Sequence, residues 1–562
     1  MEKPVSRHVF EVLAETFKNE QVETCFALLG DANMNWATAL AGLGTSMVYV
    51  RHEHCAVAAA TAYARKSGRI GVATVTCGPG LTQVLTALPA AVRAGIPLVI
   101  FAGEAPLGAA WYNQAIDQAP FVEATGASYH SLHHVARMPA AIRDAFVEAR
   151  ETRRPVVLGV PFDLQGQIAP ETLKQPVPSR DLAPRPAPMP PHPDDVAKAC
   201  DLIAGAKRIV VLGGLGAEAS GAAGACQQLA EHIGAVVTTS LPARGIFHGD
   251  AFDMGVCGGF SSTFARACFA EADLVIAVGC SLTQHNMDKG KLFPKARILQ
   301  IDTTMRAMNQ GLAAATDHMR GDARLSVEAL LDRLSPQAGW RTEAMARRIA
   351  EAPSDTCSFP SEDGLLDPRD VVSALDAALP VDWQVVNSSG HCSFYFAHMR
   401  RPFEKFLTIR EFGAIGNGTS YAMGVAAARP GETVVLLDGD GSLLMHVQEL
   451  ETMRRHGLNI VVCVLNDGAY GSEIHKLRDE GLSTEGAVFG HVDLAAIARG
   501  FGGEGARVED LSALPDLVAG YKGGLAIWDF PISDKVANPV VRRAHPGGHI
   551  GTEHPVDITE LL

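Results

Sequence analysis

Short apolar runs alternate along the chain with longer stretches in which apolar residues recur at helical spacing. Gly71 to Val75 and Pro97 to Phe101 read as strands in the first third, Leu274 to Val278 and Arg297 to Ile301 in the middle, and Val434 to Leu437 and Ile460 to Leu465 in the last third. Strands separated by helical segments predict an α/β fold with mostly parallel sheets. Between the last two strands, Leu444, Val447, Leu450 and Met453 predict one helix over Leu443 to His456, which Gly457 stops. At 562 residues the chain is too long for a single core. The pattern divides into three consecutive α/β domains at 1–170, 194–340 and 368–545, with linkers at 171–193 and 341–367 and a tail at 546–562. Pro176, Pro178 and the Pro184 to Pro193 segment make the first linker a stiff surface connection.

A formal net charge of -14 argues against a nonspecific nucleic-acid surface. The eleven cysteines are scattered without a CxxC pair, which suggests neither a zinc knuckle nor a disulfide scaffold. The apolar stretch Val84 to Ala102 is interrupted by Pro89, Arg93 and Pro97 and is a poor membrane span. With a charged, polar N-terminus, a soluble cytoplasmic protein is expected.

The chemistry concentrates at strand ends. Gly439-Asp440-Gly441-Ser442 follows the strand Val434 to Leu437, and Asn466-Asp467-Gly468-Ala469-Tyr470-Gly471 follows Ile460 to Leu465. Strand ends of an α/β sheet are where charged cofactors bind. Unpaired N–H groups at the following helix suit a diphosphate, while Asp440 and the amide oxygen of Asn466 are hard ligands suited to Mg2+. In the first domain Arg51-His52-Glu53-His54 lies between a strand and an alanine-rich helix, a place where a carboxylate is ordinarily a helix cap. In the middle domain Gly213-Gly214-Leu215-Gly216 resembles a nucleotide-binding turn, or serves as a structural one.

The ordered set of these motifs resembles the thiamine-diphosphate enzymes of the acetolactate synthase and pyruvate decarboxylase superfamily, through nearly the whole chain. The resemblance implies metal ligation by Asp440, Asn466 and the carbonyl of Gly468, and cofactor contacts from Gly439, Gly441, Ser442, Ala469 and Tyr470. It further implies Gly390 and His391 on the phosphate side, Gly413 to Ile415 beside the aminopyrimidine, and Ile415 as the wedge that bends the cofactor. Glu53 matches the essential glutamate, which hydrogen-bonds N1' of the aminopyrimidine and so promotes loss of the thiazolium C2 proton. Gln114, in Asn113-Gln114-Ala115-Ile116-Asp117-Gln118, matches a substrate-facing glutamine. Asp31 in Gly30-Asp31-Ala32-Asn33 and Glu473 match proton-handling decarboxylase carboxylates.

The implied reaction is decarboxylation of a 2-oxo acid, with the enamine ligated to a carbonyl acceptor such as an aldehyde or a second 2-oxo acid. Simple decarboxylation and a hydroxyacyl-CoA or oxalyl-CoA lyase are the alternatives. In the family the active site crosses a subunit boundary, implying a homodimer or homotetramer. The segment Cys280-Ser281-Leu282-Thr283 lacks the arginine common in acetolactate synthases, which leaves FAD or an ADP-like nucleotide in the middle domain open.

Overall fold

The computed structural model describes residues 7–182 and 187–562; residues 1–6, and 183–186 of the expected proline-rich connection, lie outside the described residues. Three six-stranded sheets follow one another, and every pairing within them is parallel. Their inner strands are buried from end to end, as in Ile460–Asn466, because helices cover both faces, whereas edge strands such as Glu504–Arg507 are polar and partly exposed.

The first sheet runs, from one edge, Ser46–Tyr49, Thr24–Ala27, Gly71–Val75, Leu98–Glu104, Pro155–Pro161 and Ser128–Ser131. The third repeats that topology with Phe406–Thr408, Gln384–Asn387, Val434–Gly439, Ile460–Asn466, Leu525–Pro531 and Glu504–Arg507. In each, the chain direction of winding reverses between the second and third strands of that order, which is where such sheets open a ligand crevice. Gly30-Asp31, singled out in the sequence, and Cys77-Gly78 beside it leave the first sheet at this point, and Gly390-His391 and Asp440-Gly441 leave the third. The middle sheet has the dinucleotide-binding order, with Ile209–Gly213 and Leu274–Val278 at its centre. There a Cβ on Gly214 would lie 2.2 Å from the Gly279 carbonyl, so the two central turns touch and only glycine fits.

The first and third domains share one hydrophobic core. Helix Glu53–Ser67 packs on helix Gly418–Ala428 so closely that a Cβ on Gly424 would meet the Ala59 carbonyl at 2.2 Å. The alanine-rich sequences on both sides permit this approach.

Two expectations are corrected. The helix predicted over Leu443 to His456 is two helices, Asp440–Met445 and Glu449–Arg455. His446 leaves helical geometry at φ -134°, ψ 39°, because its Nδ1 donates to the Gly416 carbonyl at 2.8 Å and its ring stacks on His54. The linkers are largely docked: Ser179 is buried against Glu20, and helix Glu343–Glu351, inside the expected 341–367 linker, buries Met345 and Ile349 in the middle-domain core. The tail is docked on the middle domain: Trp340 Nε1 donates to the Leu561 carbonyl at 3.2 Å and Arg348 pairs with Glu560 at 2.7 Å. Among the described residues no helix is long and apolar enough to cross a membrane.

Replacing Gly424 with valine is expected to lower the thermal midpoint and to cost about 1–3 kcal/mol, since neither helix backbone can yield without opening the shared core. A variant that melts with the wild type would contradict this packing.

Candidate active site

The third-domain half of the site is built around two carboxylates. Asp440, only 2% exposed, accepts from Gly441 N at 2.7 Å and Gly468 N at 2.8 Å. Its neighbour in hydrogen-bonding reach is Asp467, not Asn466. Asn466 still belongs to the strand, where side chains alternate between faces. Its amide is turned inward, donating to Asp529 at 2.8 Å and to the Val492 carbonyl at 3.0 Å. One residue later the chain has left the strand and Asp467 swings toward Asp440.

The Gly468 carbonyl is likewise committed, accepting from Phe489 N and Gly490 N at 2.9 Å each, so it is not free to be a ligand. The Ala469 carbonyl has no backbone donor among the described residues. Of the expected metal set Asp440, Asn466 and Gly468, the structure leaves only Asp440 available, and the other oxygens at this turn are those of Asp467 and the Ala469 carbonyl. A carboxylate is also a harder ligand than an amide oxygen, a signal already present in Asn466-Asp467.

Burial pushes the Asp440 carboxyl up to about 6 and holds Asp467 well above its usual range, the second charge adding to the effect on Asp467. Two buried like charges side by side call for a cation. Among the described residues no cluster of three or more His, Cys, Asp or Glu side chains forms a closed cage. An ion here would be completed by backbone and ligand oxygens, as Mg2+ beside a phosphate ordinarily is.

Around this pair, Gly471 is backed by Asp467 and His391, and a Cβ at that position would lie 2.4 Å from Asp467 Oδ2. His391 Nε2 accepts from Asn538 N at 3.1 Å, and burial keeps the ring neutral. Ile415 stands over Gly390, its Cγ2 3.7 Å from where a Cβ would be, beyond the turn at Gly413. The Ser442 hydroxyl accepts from Gly416 N at 2.9 Å and lies 3.2 Å from the Ser388 hydroxyl, tying the Ile415 loop to the Asp440 helix, which Gly439 caps. Tyr470 is exposed, edge-on to Phe489. Glu473 points outward and pairs with Lys476 at 2.7 Å.

In the first-domain half, Glu53 Oε1 lies 3.5 Å from the Cβ position of Gly80, and burial raises its carboxyl pKa. Gly78, at φ +57°, lets its loop press on Gln114, whose carbonyl a Cβ would meet at 2.2 Å. The Cys77 thiol donates to Gln114 Oε1 at 3.5 Å, and Tyr112 donates to the same oxygen at 3.4 Å. Asp31 is exposed and near enough to add to the upward shift that burial imposes on Cys77. The structure thus gathers Asp31, Cys77, Gln114 and Gly80 beside Glu53 in one domain, and Asp440, Asp467, His391, Ile415 and Tyr470 in another. No hydrogen bond or ion pair joins the two groups among the described residues.

What links the halves is a residue the sequence did not flag. Glu449, 0% exposed, accepts from Arg51 N at 3.0 Å and from Thr452 Oγ at 2.7 Å. Beside it, Tyr49 N donates to His456 Nε2 at 2.9 Å and Arg51 pairs with Glu451 at 2.9 Å. His54 Nε2 bonds Asn417 at 2.5 Å, with its pKa lowered by burial to about 4, so the ring is neutral. The segment that presents Glu53 is thus stitched to the helix that follows the Asp440 turn.

Comparison with known proteins matches the family models for the thiamine pyrophosphate enzyme N-terminal TPP-binding domain at 7–121, its central domain at 196–330 and its C-terminal TPP-binding domain at 388–524. The chain is also 30% identical to the acetolactate synthase large subunit of Parasynechococcus marenigrum (strain WH8102), over 83% of this chain and 77% of that protein. The chain belongs to the thiamine pyrophosphate enzymes, in their acetolactate-synthase-like branch. It is 30% identical to a probable acetolactate synthase 2 of rice, over 89% and 78% of the two chains. With a probable 2-ketoarginine decarboxylase of Pseudomonas aeruginosa it shares 29% identity over 91% of both. As a thiamine pyrophosphate enzyme it carries both halves of the cofactor site, one in each TPP-binding domain.

Two predictions follow the electrostatics. The folded-state pKa of Asp440, about 6, lies above its ordinary 3.8, so the metal-free folded protein binds more protons than the unfolded chain between those values. Its stability therefore falls as pH rises through that window; Asp467→Asn is expected to raise the metal-free melting temperature at pH 7 and to shrink the gain on adding Mg2+ with thiamine diphosphate. Separately, Glu449→Ala leaves the buried Thr452 hydroxyl and the Arg51 N–H without their acceptor, a loss of about 1–3 kcal/mol that a denaturation midpoint would register.

Proposed function

We propose that this protein is a Mg2+-supported, thiamine-diphosphate-dependent enzyme that decarboxylates a 2-oxo acid and joins the product to a carbonyl acceptor. The observation that carries this reading is the half-buried Glu53, its carboxyl pKa raised by burial, in one TPP-binding domain and the Asp440 and Asp467 carboxylates in the other. The bound cofactor supplies an electron sink for the carbon left when carbon dioxide departs. Asp440, Asp467 and the Ala469 carbonyl would hold the ion, Gly441 and His391 would border the diphosphate, and Ile415 would support the bend between the rings.

Glu53, with its raised pKa, is disposed to hold a proton against a ring nitrogen. Gln114 receives two donors on Oε1, from Cys77 and Tyr112, which orients its Nε2 hydrogens outward toward an acceptor oxygen of the substrate. That orientation suits the carbonyl of an incoming acceptor and favours carboligation. Simple decarboxylation is the second reading, supported by the exposed Asp31 beside Cys77, a carboxylate placed to deliver a proton. In the middle domain the strand order suits an ADP-like group or FAD.

The assembly is proposed to be a homodimer or a dimer of dimers with active sites between subunits. This is supported by the absence of hydrogen bonds and ion pairs between the Glu53 group and the Asp440 group within the chain, among the described residues, and by apolar side chains exposed beside each. Trp111 is 79% exposed near Gln114, and Phe489 is 41% exposed beside Tyr470. Such surface is characteristic of an interface.

Holoenzyme should release carbon dioxide from 2-oxo acids and form a coupled product when an aldehyde or second 2-oxo acid is present, read by mass spectrometry; carbon dioxide with aldehyde alone would favour the second reading. Glu53→Gln and Asp440→Asn should each be inactive. If the sites lie between subunits, exchanging the two variants at equal amounts restores about a quarter of wild-type activity, since half the dimers then hold one intact site. No recovery, with subunit exchange demonstrated, would place each site within one chain.

A further inference from the structure

Arg410 lies on the loop between strand Phe406–Thr408 and Ile415, at the corner where the third domain meets the middle domain. Its Nη1 donates to Ser393 Oγ at 2.7 Å, and Ser393 in turn donates to the Gly390 carbonyl at 2.6 Å. The guanidinium is therefore one hydroxyl away from the Gly390 turn over which Ile415 stands. Its other face lies over the ring of Phe260, 4.6 Å from the centroid, on a middle-domain loop held against His285.

No carboxylate pairs with it. Among the described residues Arg410 has no salt bridge, and neither Nε nor Nη2 has a protein acceptor, yet these atoms are not sealed from solvent. Glu411 spends one carboxylate oxygen on the Arg410 backbone N–H at 2.8 Å. The nearby cations Arg266 and Arg543 share the single carboxylate of Asp288, which leaves it saturated. Burial pulls the Arg410 pKa down, with only partial relief from Cys392 and Glu411, so the site holds positive charge that the protein does not neutralise. His285, facing it, is neutral because burial and Arg410 lower its pKa.

We propose that Arg410 binds a carboxylate that survives the reaction: the far acid of a dicarboxylic 2-oxo acid donor, or the carboxylate of an acceptor 2-oxo acid. The inference rests on the 2-oxo acid reading given above. The departing carboxylate is a poor partner for a guanidinium, because an ion pair stabilises the charged ground state and is lost as neutral carbon dioxide forms. A retained carboxylate keeps its two-pronged pairing with Nε and Nη2 throughout, and the Phe260 face excludes water from one side.

The test uses holoenzyme with thiamine diphosphate and Mg2+. Donor arms compare 2-oxoglutarate with 2-oxopentanoate; acceptor arms compare pyruvate with acetaldehyde; calorimetry measures binding of unreactive glutarate. Arg410→Met is expected to raise KM for the carboxylate-bearing member of one pair about 10- to 100-fold more than for its neutral counterpart, the usual worth of a charged hydrogen bond. It should also weaken glutarate binding, with partial rescue in Arg410→Lys. A wild-type melting temperature with cofactor bound shows that the variant folds. An unchanged KM ratio in both pairs, with glutarate binding also unchanged, overturns the proposal and leaves the decarboxylase reading standing. Arg410-dependent glutarate binding by a protein that turns over no 2-oxo acid would do the reverse.

Discussion

The contact on which the arrangement depends is the approach of Gly424 to the backbone of Ala59. Two helices from domains more than three hundred residues apart in sequence meet with no side chain between them at that point, and the core around them is continuous from Phe26 to Ile527. Packing this close does not tolerate sliding, because a backbone carbonyl offers no rotamer to change. Helix Glu53–Ser67 begins with the glutamate, and helix Gly418–Ala428 begins just after the Ile415 loop. Fixing one helix on the other therefore fixes Glu53 relative to the third domain.

Glu449 completes that constraint electrostatically. A fully buried carboxylate needs several donors, and it finds them in the Arg51 N–H and the Thr452 hydroxyl. The break at His446 makes this possible: a continuous helix would carry Glu449 round on a different heading, whereas the interruption frees His446 to bond Gly416 and stack on His54. The three histidines His52, His54 and His446 all have pKa values lowered chiefly by burial. They therefore flank the Glu53 segment without adding positive charge that would counter the upward shift burial gives its carboxyl.

The strands, the order of the motifs and the domain succession were legible in the sequence because each is a repeated pattern: apolar runs, glycine turns after them, an acid beyond the turn. What was not legible turned on single-residue geometry. Whether Asn466 or Asp467 faces Asp440 depends on where the strand stops, and a shift of one residue reverses the face. The inward turn of Asn466 is enforced by Asp529, sixty-three positions away, which no local pattern displays. The break at His446 was hidden for the same reason, since Leu444, Val447, Leu450 and Met453 keep helical spacing through it while its cause lies at Gly416 and His54. Glu449 read as one more polar position on a helix face, and the docking of the tail on Trp340 left no mark in its composition.

The first and third sheets share one strand order, yet they use the same crevice differently. In the third, the crevice is lined by two buried acids and tight glycine turns, chemistry for an ion and a diphosphate. In the first, it is lined by a thiol and a phenol converging on the oxygen of one amide, chemistry for orienting a neutral or singly charged group. Each crevice is bordered by an exposed aromatic side chain, Trp111 in the first and Phe489 in the third, and no hydrogen bond or ion pair joins the Glu53 group to the Asp440 group among the described residues. Two copies arranged symmetrically would pair unlike crevices twice. The intrachain clasp through Gly424 and Glu449 would then hold each Glu53 to the ion site of its own chain while it served the partner's, so that the rigid core sets the distance between the two sites.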